Sequence, residues 1–341
     1  MPCSVALIMP VLNEEFSVAQ TLNSVFASTR LPDEIIIADG RSTDHTRVEI
    51  EKFRHFGVPI HIIDNPQVYA GAGRNQAVAI CQSDVVLLLD FGNTVAPDWI
   101  EKMCQPFDEN PELGFVSGTF KPSVKTDFEH CVANIHYHLN VLLDKVPLED
   151  LFRHLPAKPI PGALSLAVKR QAWDLLGGMP DWLRACEDNL FGRLLIANNV
   201  AYELVPDARQ YHHMRNSVGQ LYQQLHTYSK GNGHTGFLNQ HVKKLLLMLA
   251  GITAVCVWLP LSLAAPTLIV LLLCYLYQTG IKKVIKVDGR LKKWRYIVLG
   301  SAVVVARDLG TLTGHAAGIF DWLTKPVYRL RYKQYFKLLA L

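Results

Sequence analysis

VVLLLDFGNT, residues 85–94, is the stretch that decides the fold. Five apolar residues in a row, Val85–Leu89, predict a strand buried on both faces, and the run stops at Asp90. In an open α/β sheet, ligands sit beyond the carboxyl ends of the strands, so Asp90 marks a binding crevice. Two residues on, at the mouth of that crevice, stands Gly92, which adds no second carboxylate.

Strand-like and helical runs alternate on either side of this stretch. Ser4–Met9 precedes a helix over Glu14–Ala27, Glu34–Ala38 one over Thr43–His55, and Pro59–Ile63 one over Gly71–Cys81. Val85–Leu89 leads into a helix over Pro97–Gln105, with Pro97 and Asp98 suited to its first turn. Leu113–Phe120, Gly162–Val168 and Val200–Val205 read as further strands, and Glu187–Asn198 as a helix. This βαβα order predicts an α/β, doubly wound, mostly parallel sheet over residues 1–240.

From Leu245 the composition changes, and residues 241–341 read as a C-terminal helical, membrane-associated region. Residues 245–278 carry no charge over 34 residues, with Pro260 and Pro266 near the middle. One straight span needs about 20 apolar residues, so this run predicts a helical hairpin, shallow or barely spanning. A third apolar segment, Tyr296–Trp322, contains Arg307, Asp308 and His315, which are costly in lipid and point to packing against protein or to an interfacial position. Gly310, Gly314 and Gly318 recur every four residues there and allow close helix approach, or are simply small residues in such a helix.

The net charge of +4 is too small to argue for nucleic acid, and its distribution says more. Lys282–Arg295 holds seven basic residues against one acid, and Lys325–Lys337 five against none. With Lys243 and Lys244, these runs predict contact with anionic lipid on the cytoplasmic face, an even number of crossings or a monotopic attachment, and a cytoplasmic N-terminal domain at the inner membrane. The seven cysteines form no CxxC and no regular spacing, which suits reduced thiols. Val5–Met9 lacks the basic flank of a signal peptide.

The strand ends carry the chemistry. Pro10, Asn13 and Glu14 follow the first strand; Asp39-Gly40-Arg41-Ser42-Thr43-Asp44 follow the second; Gly71-Ala72-Gly73-Arg74-Asn75 follow the third. Singly, each is also a plausible turn or cap, but four consecutive strand ends loaded with polar groups predict a site. Arg74 suits a phosphate or a carboxylate network. No GxGxxG follows the first strand and no GxxxxGK[ST] occurs, which disfavours a dinucleotide Rossmann site and excludes a P-loop.

In order and spacing, PVLNEE, DGRSTDHT, AGAGRN, LLLDFGNT, GGMPDWL and ACEDNLFGRLL resemble the family 2 glycosyltransferases of the GT-A fold, over roughly residues 1–240. The resemblance is greatest to bacterial members that make exopolysaccharide or lipid-linked glycans and end in membrane segments. It implies an inverting transferase that moves one sugar from a nucleotide-diphosphate donor, a UDP-sugar first, to a lipid-linked or glycan acceptor. It further implies that Pro10, Asn13 and Glu14 border the nucleoside, Asp39 binds the base, Asp90 lies by the ribose and diphosphate with Arg74 and Gly92 in the donor site, and Asp188 of the Glu187–Asp188 pair is the general base. An inverting reaction needs such a carboxylate, because the acceptor hydroxyl must lose its proton during in-line attack.

Gly92 is the main departure from that pattern. The acid usual at this position ligates Mg²⁺ or Mn²⁺, and Asn93 supplies only a neutral oxygen. A divalent metal held by Asp90 and His213, of the His212–His213 pair, is one expectation. Cationic side chains in its place (Arg74, Arg184, Arg215) and a degenerate site are the others. Gln220–Tyr228 lacks the Arg-Trp pair of processive members, which favours single-sugar addition, and Lys230–His234 reads as a loop. A transferase acting on polyprenyl phosphate and a non-catalytic binding or scaffold protein are the competing readings.

Overall fold

The structure is a computed structural model that describes residues 2–137, 161–236, 238, 240–287 and 293–339. The centre of the Lys282–Arg295 basic run, 288–292, lies outside the described residues. The chain divides into two compact units, Met1–Ser123 with Val146–His213 and Lys333–Leu341, and Val124–Lys145 with Met214–Tyr332.

The first unit is built on one sheet of eight strands: β1 (Val5–Val11), β2 (Glu34–Asp39), β3 (Ile60–Asp64), β4 (Val85–Leu88), β5 (Asn93–Val95), β6 (Phe115–Ser123), β7 (Leu166–Lys169) and β8 (Tyr202–His213), in the order β3-β2-β1-β4-β7-β6-β8-β5. The first four run parallel, as the alternation predicts, whereas β7 runs antiparallel to both β4 and β6, and β5 antiparallel to β8. β8 is twice the length expected and carries His212 and His213 as strand residues, because it pairs with β6 and then with β5.

Successive side chains of β1 point to opposite faces, and both faces are covered. Val5, Leu7, Met9 and Val11 enter one apolar layer with residues of α1 (Val18–Phe26), α2 (Thr46–Glu51) and α4 (Trp99–Glu109). Ala6 and Ile8 enter the other, with residues of α3 (Ala70–Ile80), α6 (Arg170–Leu175) and α7 (Glu187–Ala197). Burying a side chain of this kind contributes about 1.5–3 kcal/mol, and the uninterrupted VVLL and EIIIAD runs are the sequence record of that two-sided burial. The first helix starts at Val18 rather than at Glu14, because Asn13 takes a left-handed backbone and Glu14 turns the chain.

The second unit is helical: α5 (Asp127–His136), α8 (Val218–His234), α9 (Gln240–Trp258), α10 (Leu261–Leu276), α11 (Lys282–Val287), α12 (Lys293–Thr324) and the start of α13 (Pro326–Leu339), whose residues from Lys333 belong to the first unit. Thr126 and Glu129 cap α5 reciprocally. Pro260 breaks the long apolar run between α9 and α10, as its missing N–H requires. Lys230–His234 is the end of α8 and not a loop; Gly233 there faces Gly318 so closely that a Cβ would stand 2.8 Å from its Cα. The same packing accounts for the four-residue glycine repeat. A Cβ at Gly310, Gly314 or Gly318 would meet the carbonyl oxygens of Tyr222, His226 and Lys230 at 2.7, 2.1 and 2.3 Å, so α12 lies backbone to backbone along α8.

Candidate active site

The site assembles at the carboxyl edge of the parallel strands, where the register aligns Val11, Asp39 and Asp64. Asn13 leaves β1 in a left-handed conformation, its backbone N–H donating to Ser42 Oγ and its Oδ1 accepting from Thr43 N at 2.8 Å. These bonds tie the end of β1 to the loop after β2. Glu14 N–H donates to Thr46 Oγ1, and the Glu14 carboxylate accepts from Ser17. Asp39 is buried; burial opposes its charge, but bonds from Ser42 and the guanidinium of Arg47 outweigh it and hold the carboxyl below its ordinary range. Arg47 also pairs with Asp64.

Arg74 sits beneath this edge, and its position follows from α3. Gly71 and Gly73 let the helix approach closely: a Cβ at Gly71 would stand 2.9 Å from Pro180 O and 3.0 Å from Glu187 Cγ, and one at Gly73 3.0 Å from Ala38 Cβ. Asn75 exchanges two bonds with the Met179 backbone, fixing the Gly177–Met179 turn on α3. Arg74 is 2% exposed and donates to Asp90 Oδ1 at 2.6 Å and to Glu187 Oε1 at 2.7 Å. Burial works against its charge, but Asp90, Glu187 and Asp188 outweigh it and hold the guanidinium firmly protonated. Of the two roles the sequence allows Arg74, the carboxylate network is the one seen here.

Glu187 opens α7 after Cys186, which is left-handed. Burial and the adjacent Asp188 push its carboxyl up to about 7, against the pull of Arg74. Asp188 is half-buried; its Oδ2 accepts from Ala163 N at 2.9 Å, and a Cβ at Gly162 would come within 3.2 Å of that oxygen. Arg74 thus joins the Glu187–Asp188 pair to Asp90, which is 39% exposed.

The turn after Asp90 is pinned from α1: Thr21 Oγ1 accepts from Gly92 N at 3.2 Å and donates to Asn93 O at 2.8 Å. Gly92 has φ +84°, a conformation that disfavours any other residue, and a Cβ there would meet only Glu14 Oε2, at 3.9 Å. Thr21 and the Glu14–Gly92 approach escape sequence reasoning, because nothing in VAQTLNS marks Thr21 as more than a helix residue. Asn93 Oδ1 pairs with His212 Nδ1 at 2.8 Å, and His213 Nε2 with Gln20 Nε2 at 3.0 Å. Among the described residues, no three His, Cys, Asp or Glu side chains stand together as a metal would require. One carboxylate already bound to Arg74, a glycine, and two histidines engaged elsewhere do not fit a divalent cation held by the protein alone.

Residues 6–153 match the family model described as glycosyl transferase family 2. A glycosyltransferase of Haemophilus influenzae is 27% identical over 186 residues, 54% of this chain and 58% of the relative. The glucosyl-dolichyl phosphate glucuronosyltransferase of Haloferax volcanii is 29% identical over 123 residues, 36% and 39% of the two chains. The matches thus span about half the length of these curated relatives. In fold, the chain is similar to the mannosyltransferase PcManGT of Pyrobaculum calidifontis, solved with GDP-Man and Mn²⁺, with a TM-score of 0.60 and 17% identity over 92% of this chain and 88% of that one. Over residues 6–153 the chain is thus similar in sequence to the family 2 glycosyltransferases, and its fold is the GT-A fold that its motifs imply.

Proposed function

We propose that the protein is a membrane-attached glycosyltransferase that moves a single sugar, with inversion, from a nucleotide-diphosphate sugar to a lipid-linked or glycan acceptor. The observation that carries the reading is the chain Asp90–Arg74–Glu187, which brings Asp188 to the crevice beside the strand ends. In this reading the catalytic region is residues 1–240. Pro10, Asn13, Glu14 and Asp39 border the nucleoside, Asp90 and the Gly92 turn lie toward the diphosphate, and Asp188 removes the acceptor proton as its oxygen attacks the anomeric carbon in line. Arg74 and Glu187 act through Asp90 and Asp188, setting their positions and charges.

Among the described residues, three helices long and apolar enough to cross a membrane support the attachment. The relative named as a glucosyl-dolichyl phosphate glucuronosyltransferase favours an acceptor that is a sugar already on a lipid phosphate. Asp188→Asn tests the base and the acceptor together. Transfer to a sugar hydroxyl should fall roughly 10²–10⁴-fold. Undiminished transfer to polyprenyl phosphate, whose oxygen is ionised without a base, would instead select the alternative acceptor; equal transfer to sugar hydroxyls would remove Asp188 from the mechanism. Absence of any transfer by wild-type membranes, across nucleotide sugars and lipid extracts, would favour a scaffold. Assays with and without Mn²⁺ or Mg²⁺ test the metal, for which no three ligating side chains stand together among the described residues.

A further inference from the structure

Cys104 and Asp108 stand four residues apart on α4 and so share one of its faces. Cys3 meets that face just before β1 begins. Its backbone is held on both sides: the N–H donates to Asp108 Oδ1 at 2.6 Å, and the carbonyl accepts from Arg30 Nη2 at 2.6 Å. Arg30 Nη1 in turn donates to Asp108 Oδ2 at 3.2 Å. The side chain is fixed between the same partners. Cys3 Sγ lies 3.8 Å from Arg30 Nη2 and 3.9 Å from Cys104 O, and the two thiols are within hydrogen-bonding reach of each other. This cluster sits at the amino edge of the parallel strands, opposite the strand ends that form the candidate active site, and takes no part in the chemistry proposed there.

The two sulfurs are not equivalent. Cys3 is half-buried and open to a small reagent, whereas Cys104 is fully buried. A bond from the Cys104 thiol, with the Arg30 guanidinium beside it, holds the Cys3 thiol below its ordinary range, against burial and the Asp108 carboxylate. Cys104 is pushed the opposite way by Cys3 and by its own burial, so it keeps its proton. Other buried thiols show the contrast: burial pushes Cys81 up to about 11 and Cys131 up to about 12. A redox-reactive cysteine needs thiolate character, access for the oxidant and a second thiol within reach, and Cys3 has all three.

We propose that Cys3 and Cys104 form a reversible oxidation site, in which Cys3 reacts with a hydroperoxide and Cys104 resolves the product as a disulfide. The Cys3 thiolate attacks a peroxide oxygen, the O–O bond breaks, and the leaving oxygen takes up the proton that Cys3 gave up. Cys3 becomes a sulfenic acid while the peroxide is reduced to an alcohol, or to water from hydrogen peroxide. The Cys104 sulfur then displaces the sulfenic hydroxyl, which leaves as water with the Cys104 proton. Two thiols and one hydroperoxide thus give one disulfide, one alcohol and one water, and a thiol reductant reverses the link by exchange. The bond joins the start of β1 to α4 and leaves the opposite edge of the sheet untouched.

The test uses the full chain in detergent, reduced and then freed of reductant, treated with near-stoichiometric hydrogen peroxide and mapped by mass spectrometry without reduction. Wild type should lose the mass of two hydrogens, with the Cys3 and Cys104 peptides linked, and dithiothreitol should restore both thiols. Cys3 should react roughly tenfold or more faster than Cys81, which lacks the thiolate character. In Cys104→Ser, Cys3 should accumulate as a sulfenic acid that a 1,3-diketone traps, with no link formed. In Cys3→Ser, Cys104 should stay reduced. Cys3 that stays reduced while Cys81 oxidises, Cys3 that ends in wild type as a sulfinic acid or linked to any other thiol, or Cys104 oxidised as fast in Cys3→Ser as in wild type would each overturn the proposal. The wild-type map decides by itself should a serine variant fail to fold.

Discussion

Arg74 shows how one residue couples the parts of the site. It is fully enclosed, and its two carboxylate partners come from the turn after β4 and from α7, so its removal strands charge rather than merely losing a contact. Arg74→Met should destabilise the fold by about 3–5 kcal/mol in a denaturant titration, because Glu187 is left buried without its counter-charge. Adding Glu187→Gln to that variant should recover much of the loss. Glu187 also sets a pH dependence. Its carboxyl holds a proton to about 7 in the folded chain, against about 4.3 when unfolded. The folded state therefore binds more protons between these values, so the stability contributed is fully present below the lower value and is lost as pH rises toward 7. Wild type should melt progressively lower from about pH 5 to pH 7, and Glu187→Gln should flatten that slope; an unchanged slope would assign it to another group. The motif AGAGRN makes Arg74 and Asn75 visible in the sequence, but only the packing of α3 selects the carboxylate network.

Element by element, the sequence is most legible where burial is two-sided. VALIMPV, EIIIAD and VVLL are strands because both faces are covered, and the helices between them follow from the same alternation. What escapes is pairing direction and length. Antiparallel β7 and the short β5 arise from long-range partners, and β8 reaches His213 because β6 and β5 both pair with it, which apolar patterning cannot encode. The expected loop at Lys230–His234 is helical for a related reason: two glycines read as flexibility until α12 is seen lying against them. That contact makes a sharp prediction. Gly314→Ala would drive a Cβ to 2.1 Å from His226 O, so helix separation should cost about 1–3 kcal/mol, read as a lower melting temperature in detergent. Gly251→Ala on α9, whose Cβ would meet nothing within 4 Å, is the matched control and should melt at or above wild type.

For the whole molecule, the proposed membrane attachment rests on which apolar surface is left uncovered. The three long apolar helices look alike in composition but differ in surroundings. α9 and α10 carry their apolar side chains outward, with Leu247 73% and Trp258 and Leu261 both 83% exposed, whereas half of the most apolar stretch within Trp294–Thr324 is buried. The internal charges of α12 are partnered too: Asp308 accepts from His241, Tyr275 and Arg307, and Asp321 from Lys230, His234 and Lys325. The sequence anticipates a third segment that packs against protein or lies at the interface, because charges stand in it, but not their partners, most of which come from α8, α9 and α10. In the proposed membrane attachment, α9 and α10 are therefore the helices that would meet lipid, while α12 contributes to the protein's own core. A lysine at the exposed Leu272 should therefore weaken membrane retention without harming the fold. At about 2.5–3.5 kcal/mol for a central charge, Leu272→Lys should move a large share of the chain into the alkaline carbonate extract, with an unchanged melt in detergent. Val303→Lys, at a fully buried position of α12, should do the reverse, lowering the melt sharply through an unpaired charge in the core. Equal extraction of wild type and Leu272→Lys would place the membrane anchor outside the α9–α10 pair.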